Sequence, residues 1–318
     1  MGNVVLGYQT TLREKAEFSG IGVHSGQPVS LVMHPAEANT GIIFSVTCPR
    51  TGDVRDIPAT LGSIGATDLC TVLGDPSGIF IATVEHLMAA IRALNLDNAI
   101  IDVDAYEVPV LDGSSRPFVE GIQQAGIVEL KEPRVYIRVK KPVRISMGAS
   151  WAEFVPHEGT RFEVDIDFDC PTIGRQSHVC DLSAESFSRD VSAARTFGFM
   201  KDVERLWAAG FALGSSLENS VVIGDDNKII NPEGLRYKDE FVRHKLLDAV
   251  GDIALAGAPI LGAFRSYRGG HKLNSMMLKA LFADASAYEF VEAAASQARV
   301  SYNELVAVSA PAYAADLS

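Results

Sequence analysis

An α+β fold, with sheets and helices in separate layers, is predicted by three observations. Short β-rich runs occur in both halves of the chain, and each set of strands leads into stretches of helical apolar spacing. The two do not alternate in the strict manner of βαβ units.

Over 29–46 and 96–110, the runs SLVMH, GIIFSV and NAIIDVD are bounded by Gly, Pro, Asn and Asp and predict strands. Between them, Val84, Leu87, Ile91 and Leu94 recur at helical spacing, which predicts a helix over 83–94 with Thr83 as its N-cap. LDGSS at 111–115 is turn chemistry, and Lys131, Glu132 and Pro133 interrupt the chain before a strand pattern restarts in EPRVYIRVKKPVRI. A domain boundary is therefore expected near residue 130. It separates an N-terminal α+β domain, 1–130, from a C-terminal one, 131–305, with a loose tail over 306–318.

The second half repeats the theme. SWAEFVP and RFEVDIDF predict strands, followed by a polar loop at 171–179 and helical stretches near 183–210. VVIGDDNKII predicts a hairpin with Asp226 and Asn227 at its tip, and helices are expected over 239–255, 273–282 and 285–299. No fixed-period sequence repeat is visible.

Composition narrows the function classes. A chain of 318 residues with 47% hydrophobic and 21% charged residues has the balance of a globular enzyme, long enough for about two ordinary domains. A net charge of −12 argues against a nucleic-acid partner, so an anionic substrate has to be held by local cations. Cys48, Cys70, Cys170 and Cys180 form no C-x-x-C spacing and no regular framework, which fits thiols in a reducing cytoplasm. The start, MGNVVLGYQTTLREK, has no basic region followed by an apolar one, and Leu6 breaks the myristoylation pattern. Apolar stretches such as 253–264 fall short of the roughly 18 residues of a membrane span, which leaves peripheral membrane contact open.

Several residues have the types that carry chemistry. Glu85 and His86 open the first helix, where free N–H groups favour a carboxylate, although the pair taken alone is also an ordinary helix start. In RHKLLDAVGD, His244 and Asp248 are four apart with Asp252 one turn later, a spacing that can offer two ligands to one ion. Val242, Leu246, Ala249, Val250 and Ile253 lie opposite, so periodicity alone favours a solvated polar stripe. Gly251 within that stripe, at a helix-interior cost of ~1 kcal/mol relative to Ala, implies that something approaches closely. His271 follows Arg268, Gly269 and Gly270, a flexible entry to the next helix that suits a general acid or a surface histidine. SGIGVHSG at 19–26 is not a dinucleotide fingerprint, because Ser25 occupies the third glycine position. Phosphate-loop, nucleophile-elbow and H-E-x-x-H patterns are absent from the sequence, leaving metal hydrolysis by another geometry.

Six separated blocks, SGIGVHSG, TVEHLMAA, EVPVLDGSS, ARTFGF, NPEGLRYKDEFVRHKLLDAVGD and GGHKLN, resemble those of the UDP-3-O-acyl-N-acetylglucosamine deacetylases, in order and over nearly the whole chain. The resemblance implies two similar domains, each a β-sheet packed against two helices, in a β-α-α-β sandwich with the active site between them. It implies zinc on His86, His244 and Asp248, although such donors also accept iron. Glu85 matches the general base, His271 the cationic acid held charged by Asp252, and Thr196 the oxyanion-stabilising hydroxyl. Lys245 matches a diphosphate contact and Phe197 a uracil contact, while Val203, Trp207, Leu217 and Val222 fall in the apolar passage for the acyl chain. The implied substrate is an acylated UDP-amino sugar, and the implied reaction is the committed deacetylation of lipid A synthesis. Ser215, Glu218 and Lys272 depart from the usual Gly, Asp and Ala and bear on the passage and substrate fit. A zinc deacetylase for another acylated amino sugar and a non-catalytic binding homologue are the competing readings.

Overall fold

A computed structural model describes residues 7–293. The chain begins with β1 (Tyr8–Leu12), β2 (Ala16–Ile21), β3 (Pro28–Pro35), β4 (Ile42–Thr47) and β5 (Val54–Pro58). An insertion follows, comprising a 3-10 turn (Leu61–Ser63) and the short strands β6 (Ile64–Ala66), β7 (Val72–Gly74) and β8 (Phe80–Ile81). The first half closes with α1 (Glu85–Ala93), β9 (Ala99–Val103), α2 (Arg116–Ala125) and β10 (Ile127–Pro133). The second half opens with β11 (Val135–Val139), β12 (Val143–Met147), β13 (Ser150–Val155), β14 (Thr160–Asp167) and β15 (Arg175–Asp181). Its insertion holds α3 (Ala184–Asp190), β16 (Phe197–Phe199), α4 (Met200–Ala208) and β17 (Val221–Ile223). It ends with α5 (Glu240–Ala254), β18 (Ile260–Tyr267), α6 (His271–Ala283) and β19 (Tyr288–Glu292).

The halves repeat one another in topology. The first sheet runs β2-β3-β9-β4-β5, with β9 antiparallel to β3 and parallel to β4, and β5 antiparallel to β4. β12-β13-β18-β14-β15 reproduces this order with every pairing in the same sense. The flanking ribbon recurs as well: β1 pairs antiparallel with β10, and β11 with β19. The repeat lies in strand order rather than residue identity, so no periodic sequence signal accompanies it. The halves differ in their insertions, which enter at the same place, between the fifth strand and the first helix.

Alternation along the strands builds the two inner faces: Val29, Leu31 and Met33 of β3 point inward, as do Phe162, Val164 and Ile166 of β14. α1 and α5 are buried nearly all round, the condition of helices enclosed between layers rather than lying on a surface. They cross where Gly251 meets α1: a Cβ on Gly251 would lie 1.9 Å from the Glu85 carbonyl oxygen. This is the close approach that glycine implied. The polar stripe of α5 is correspondingly not solvated, because His244, Asp248 and Asp252 are all buried.

Several expectations are corrected. Thr83 does not cap α1; it has φ 58 and its hydroxyl donates to Glu107 Oε1 at 3.0 Å, and the helix starts at Glu85. The chain is not interrupted at 131–133, since β10 runs through to Pro133, paired with Tyr8, and the reversal lies at Gly126 (φ 76). Residue 130 thus falls inside a strand. Helix α2 was not anticipated, although Phe118, Val119, Ile122 and Ala125 bury one face of it. Much of the polar loop expected at 171–179 is strand β15, in which Arg175, Ser177, Val179 and Asp181 are exposed while Gln176 and His178 turn toward α5, Gln176 Oε1 accepting from the Val242 N–H. Within the helix expected over 285–299, Tyr288–Glu292 is strand β19; residues 294–299 and the tail 306–318 lie outside the described residues. The hairpin tip does form, with Asn227 at φ 60 and its N–H donating to the Gly224 carbonyl at 2.9 Å.

Candidate active site

The crossing of α1 and α5 sets side chains from both halves against one another. His86 enters from the first turn of α1, and His244 and Asp248 stand one turn apart on α5. All three are buried, and their ligating atoms lie within 4.8 Å of one another. Asp248 Oδ1 is 3.5 Å from His86 Nε2 and 3.4 Å from His244 Nε2, and it has no hydrogen-bond partner. A buried carboxylate oxygen left without a donor is costly, and one aimed between two imidazole nitrogens is arranged for a cation.

The surroundings fix the state of two of the three candidate ligands. His244 Nδ1 donates to the Ala194 carbonyl at 3.0 Å, which turns the Nε2 lone pair toward the cluster. Burial pushes the His244 imidazole down to about 3, so it is neutral, as a ligand must be. Lys245 Nζ donates to the other Asp248 oxygen at 2.6 Å. Although burial opposes its charge, His244 and Lys245 hold the Asp248 carboxyl well below the usual carboxylate range. Burial likewise opposes the Lys245 charge, but Asp248 outweighs it and raises the ammonium.

Beside the cluster stand a carboxyl and an imidazole, Glu85 and His271. Burial raises the Glu85 carboxyl above its ordinary value. His271, the first residue of α6, places Nε2 3.8 Å from Glu85 Oε1 and donates from Nδ1 to Asp252 Oδ2 at 2.9 Å. Burial would lower this imidazole, yet Asp252 and Glu85 prevail and raise it to about 9. Two groups that sequence reasoning missed complete the set. Thr71 donates its N–H to Glu85 Oε2 and its hydroxyl to Asp252 Oδ1, and Asn274 Nδ2 donates to Asp252 Oδ2. Thr71 lies outside the six blocks, whereas Asn274 closes GGHKLN without having been singled out.

A cavity of about 480 Å³ opens onto these groups. Glu85, His86, His244, Lys245, Asp248 and His271 line it, as do Thr196, Phe197, Val203, Trp207, Leu217 and Val222. Every expected site residue except Asp252 therefore meets in one space; Asp252 stands behind His271. Phe197 packs edge-on against Phe168, Phe241 and the His244 ring. The side of the cavity toward α4 is apolar, and Trp207 there is half-exposed, with Nε1 donating to the Ala212 carbonyl at 3.1 Å. Ser215, one of the departures, also lines this region and shares a hydrogen bond with Ser220 at 3.1 Å.

Sequence reasoning also missed the frame beneath the site. Arg195 is fully buried and donates its N–H and Nε to Glu240 Oε1, both at 2.9 Å, which anchors the 194–196 segment carrying the Ala194 carbonyl and Thr196. Ser115 Oγ donates to the His86 carbonyl at 2.7 Å and gives the LDGSS turn a place in the assembly.

Two matched α+β halves enclose a buried His-His-Asp cluster that could hold a metal ion, with a carboxyl and an imidazole beside it, an arrangement suited to a hydrolase. Comparison with known proteins makes the assignment specific. Residues 9–283 match the family described as UDP-3-O-acyl N-acetylglycosamine deacetylase, and the chain belongs to that family. Proteins named UDP-3-O-acyl-N-acetylglucosamine deacetylase from Brucella ovis, Brucella canis and Brucella melitensis are each 55% identical to it over 289 residues. That is 90% of this chain and 99% of each relative.

Proposed function

We propose that the chain hydrolyses the N-acetyl group of UDP-3-O-(3-hydroxyacyl)-N-acetylglucosamine, releasing acetate in the committed step of lipid A biosynthesis. The observation that carries this reading is the meeting, on one cavity wall, of the His86-His244-Asp248 cluster with Glu85 and His271. Two imidazole nitrogens and one carboxylate oxygen suit zinc and leave room for solvent; the same donors also accept iron. A bound zinc supplies Lewis-acid chemistry, acidifying water and polarising the acetyl carbonyl.

The side chains divide the proton traffic. Glu85 takes a proton from the attacking water, a task its raised carboxyl suits. His271, kept cationic by Asp252, stabilises the negative charge that develops on the acetyl oxygen and protonates the departing amine. Thr196 donates its hydroxyl to the same developing charge. Lys245 contacts the diphosphate, Phe197 the uracil, and Val203, Trp207, Leu217 and Val222 the acyl chain.

The two topological halves act as the two domains, with the chain passing from one to the other at Arg134. No helix among the described residues is long and apolar enough to cross a membrane. The four cysteines are unpaired thiols, in keeping with work in the cytoplasm, and the half-exposed Trp207 and Leu213 offer an apolar rim for peripheral membrane contact.

Acetate release from the full substrate, and from analogues lacking the uridine diphosphate or the acyl chain, tests the assignment. Turnover should collapse when either portion is removed. Equal turnover of the truncated sugars would transfer the assignment to a deacetylase of another amino sugar.

A further inference from the structure

The insertion of the first half reaches across to the second at the residue just ahead of β7, as well as at its 3-10 turn, where the Leu61 N–H donates to the Leu255 carbonyl. Leu69, in the left-handed region at φ 68, turns the chain so that Cys70 and Thr71 go inward just ahead of β7. Thr71 is buried and does not line the cavity. Its backbone N–H donates to Glu85 Oε2 at 3.1 Å, and its hydroxyl donates to Asp252 Oδ1 at 2.6 Å. Asp252 belongs to α5 of the other half, and its second oxygen accepts from His271 Nδ1 at 2.9 Å and Asn274 Nδ2 at 2.8 Å.

We propose that Thr71 is a positioning residue for His271, acting through Asp252. The proposal rests on the reading of His271 as the acid. A carboxylate fixed at one oxygen only can turn about its Cβ–Cγ bond and carry the imidazole with it. The Thr71 hydroxyl supplies the second fixed point, so the Asp252 plane is set and Nε2 of His271 is held toward the cavity and Glu85. A hydroxyl donor to a buried carboxylate is among the stronger neutral-to-charged hydrogen bonds. Threonine suits the position because its methyl group restricts the hydroxyl rotamer. Thr71 touches no expected substrate atom, so its removal should lower the chemical step and leave binding intact.

The test uses the metal-loaded enzyme. Thr71→Val keeps the shape and the backbone N–H to Glu85 and removes only the hydroxyl. It should lower kcat roughly 10–100-fold, the usual loss for an outer-shell partner, with KM and bound metal unchanged. Thr71→Ser, which keeps the hydroxyl, should recover most of that loss. Added to Asp252→Ala, Thr71→Val should cost nothing further, because the residue it acts through is already gone. Unchanged kcat in Thr71→Val, a loss confined to KM, a Thr71→Ser enzyme as slow as Thr71→Val, or a full additional loss on Asp252→Ala would each overturn the proposal. If Thr71→Val does not fold, Thr71→Ala carries the same expectations. An Asp252→Ala enzyme with normal kcat has a different signature: it removes the role of the His271-Asp252 pair, and the Thr71 assignment with it.

Discussion

Replacing Gly251 by alanine reverses the usual rule for helices. In an exposed helix interior the change stabilises by ~1 kcal/mol. In α5 the new Cβ would lie 1.9 Å from the Glu85 carbonyl oxygen, 2.7 Å from its carbon and 2.9 Å from its Cα, all backbone atoms that cannot rotate away. Reaching 3.0 Å from that oxygen requires α1 and α5 to separate by about 1.1 Å at the crossing. Overpacking of this kind costs about 1–3 kcal/mol, so Gly251→Ala should be destabilised. The functional loss should be larger than the stability loss. The displaced segment carries Glu85 and His86, while the other wall carries His244 and Asp248, and a 1 Å misplacement costs on the order of 10²-fold in rate. Metal affinity should fall with activity, because one ligand moves away from the other two. Urea unfolding, zinc titration and acetate release measure the three quantities. A Gly251→Ala protein that is more stable than the parent, with full metal affinity and activity, would refute the tight crossing as the feature that aligns the site.

Other residues give further expectations. His244→Ala and Asp248→Ala should each lose bound metal, whereas Glu85→Ala should retain it and lose most activity; metal analysis beside acetate release separates them, and normal turnover by Glu85→Ala would remove it as the base. Arg195→Met strands the buried Glu240 carboxylate and should cost about 3–5 kcal/mol, read by urea unfolding. In the metal-free protein, the His271 imidazole should titrate near 9, and Asp252→Asn should lower it, as followed by NMR. The folded-state value is above the unfolded one, so this ionisation contributes stability that is complete below about 6.5 and lost as pH rises through 9. Unfolding across that range, compared with His271→Ala, checks the sign.

Much of the fold was legible where sequence pattern and burial coincide. The alternation in SLVMH and RFEVDIDF marked β3 and β14, and the spacing of Val84, Leu87 and Ile91 marked α1. β15 was illegible because polar side chains occupy both of its faces, Arg175, Ser177 and Asp181 outward and Gln176 and His178 toward α5, and such a run reads as loop. α2 was overlooked beside the turn at 111–115, although its apolar spacing was readable. β10 was missed because Lys131, Glu132 and Pro133 read as a break, whereas Pro133 is the last residue of the strand. The polar stripe on α5 was ambiguous for a different reason: periodicity reports one face, and only the packing of α1 onto α5 shows that the other face is buried too. Gly251, with Phe241 and Leu247 flanking the stripe, was the local signal of that packing. Thr71 and Arg195 were out of reach, since each acts through a partner on a distant segment, Asp252 and Glu240 respectively.

The central claim is a metal-dependent amide hydrolysis at the His86-His244-Asp248 cluster, and acetate release through a cycle of chelation and zinc restoration tests it most directly. The purified protein should release acetate from UDP-3-O-(3-hydroxyacyl)-N-acetylglucosamine, stop on chelation, and recover with about one zinc per chain. Turnover that survives complete chelation, or a protein that releases no acetate with any metal, would contradict it.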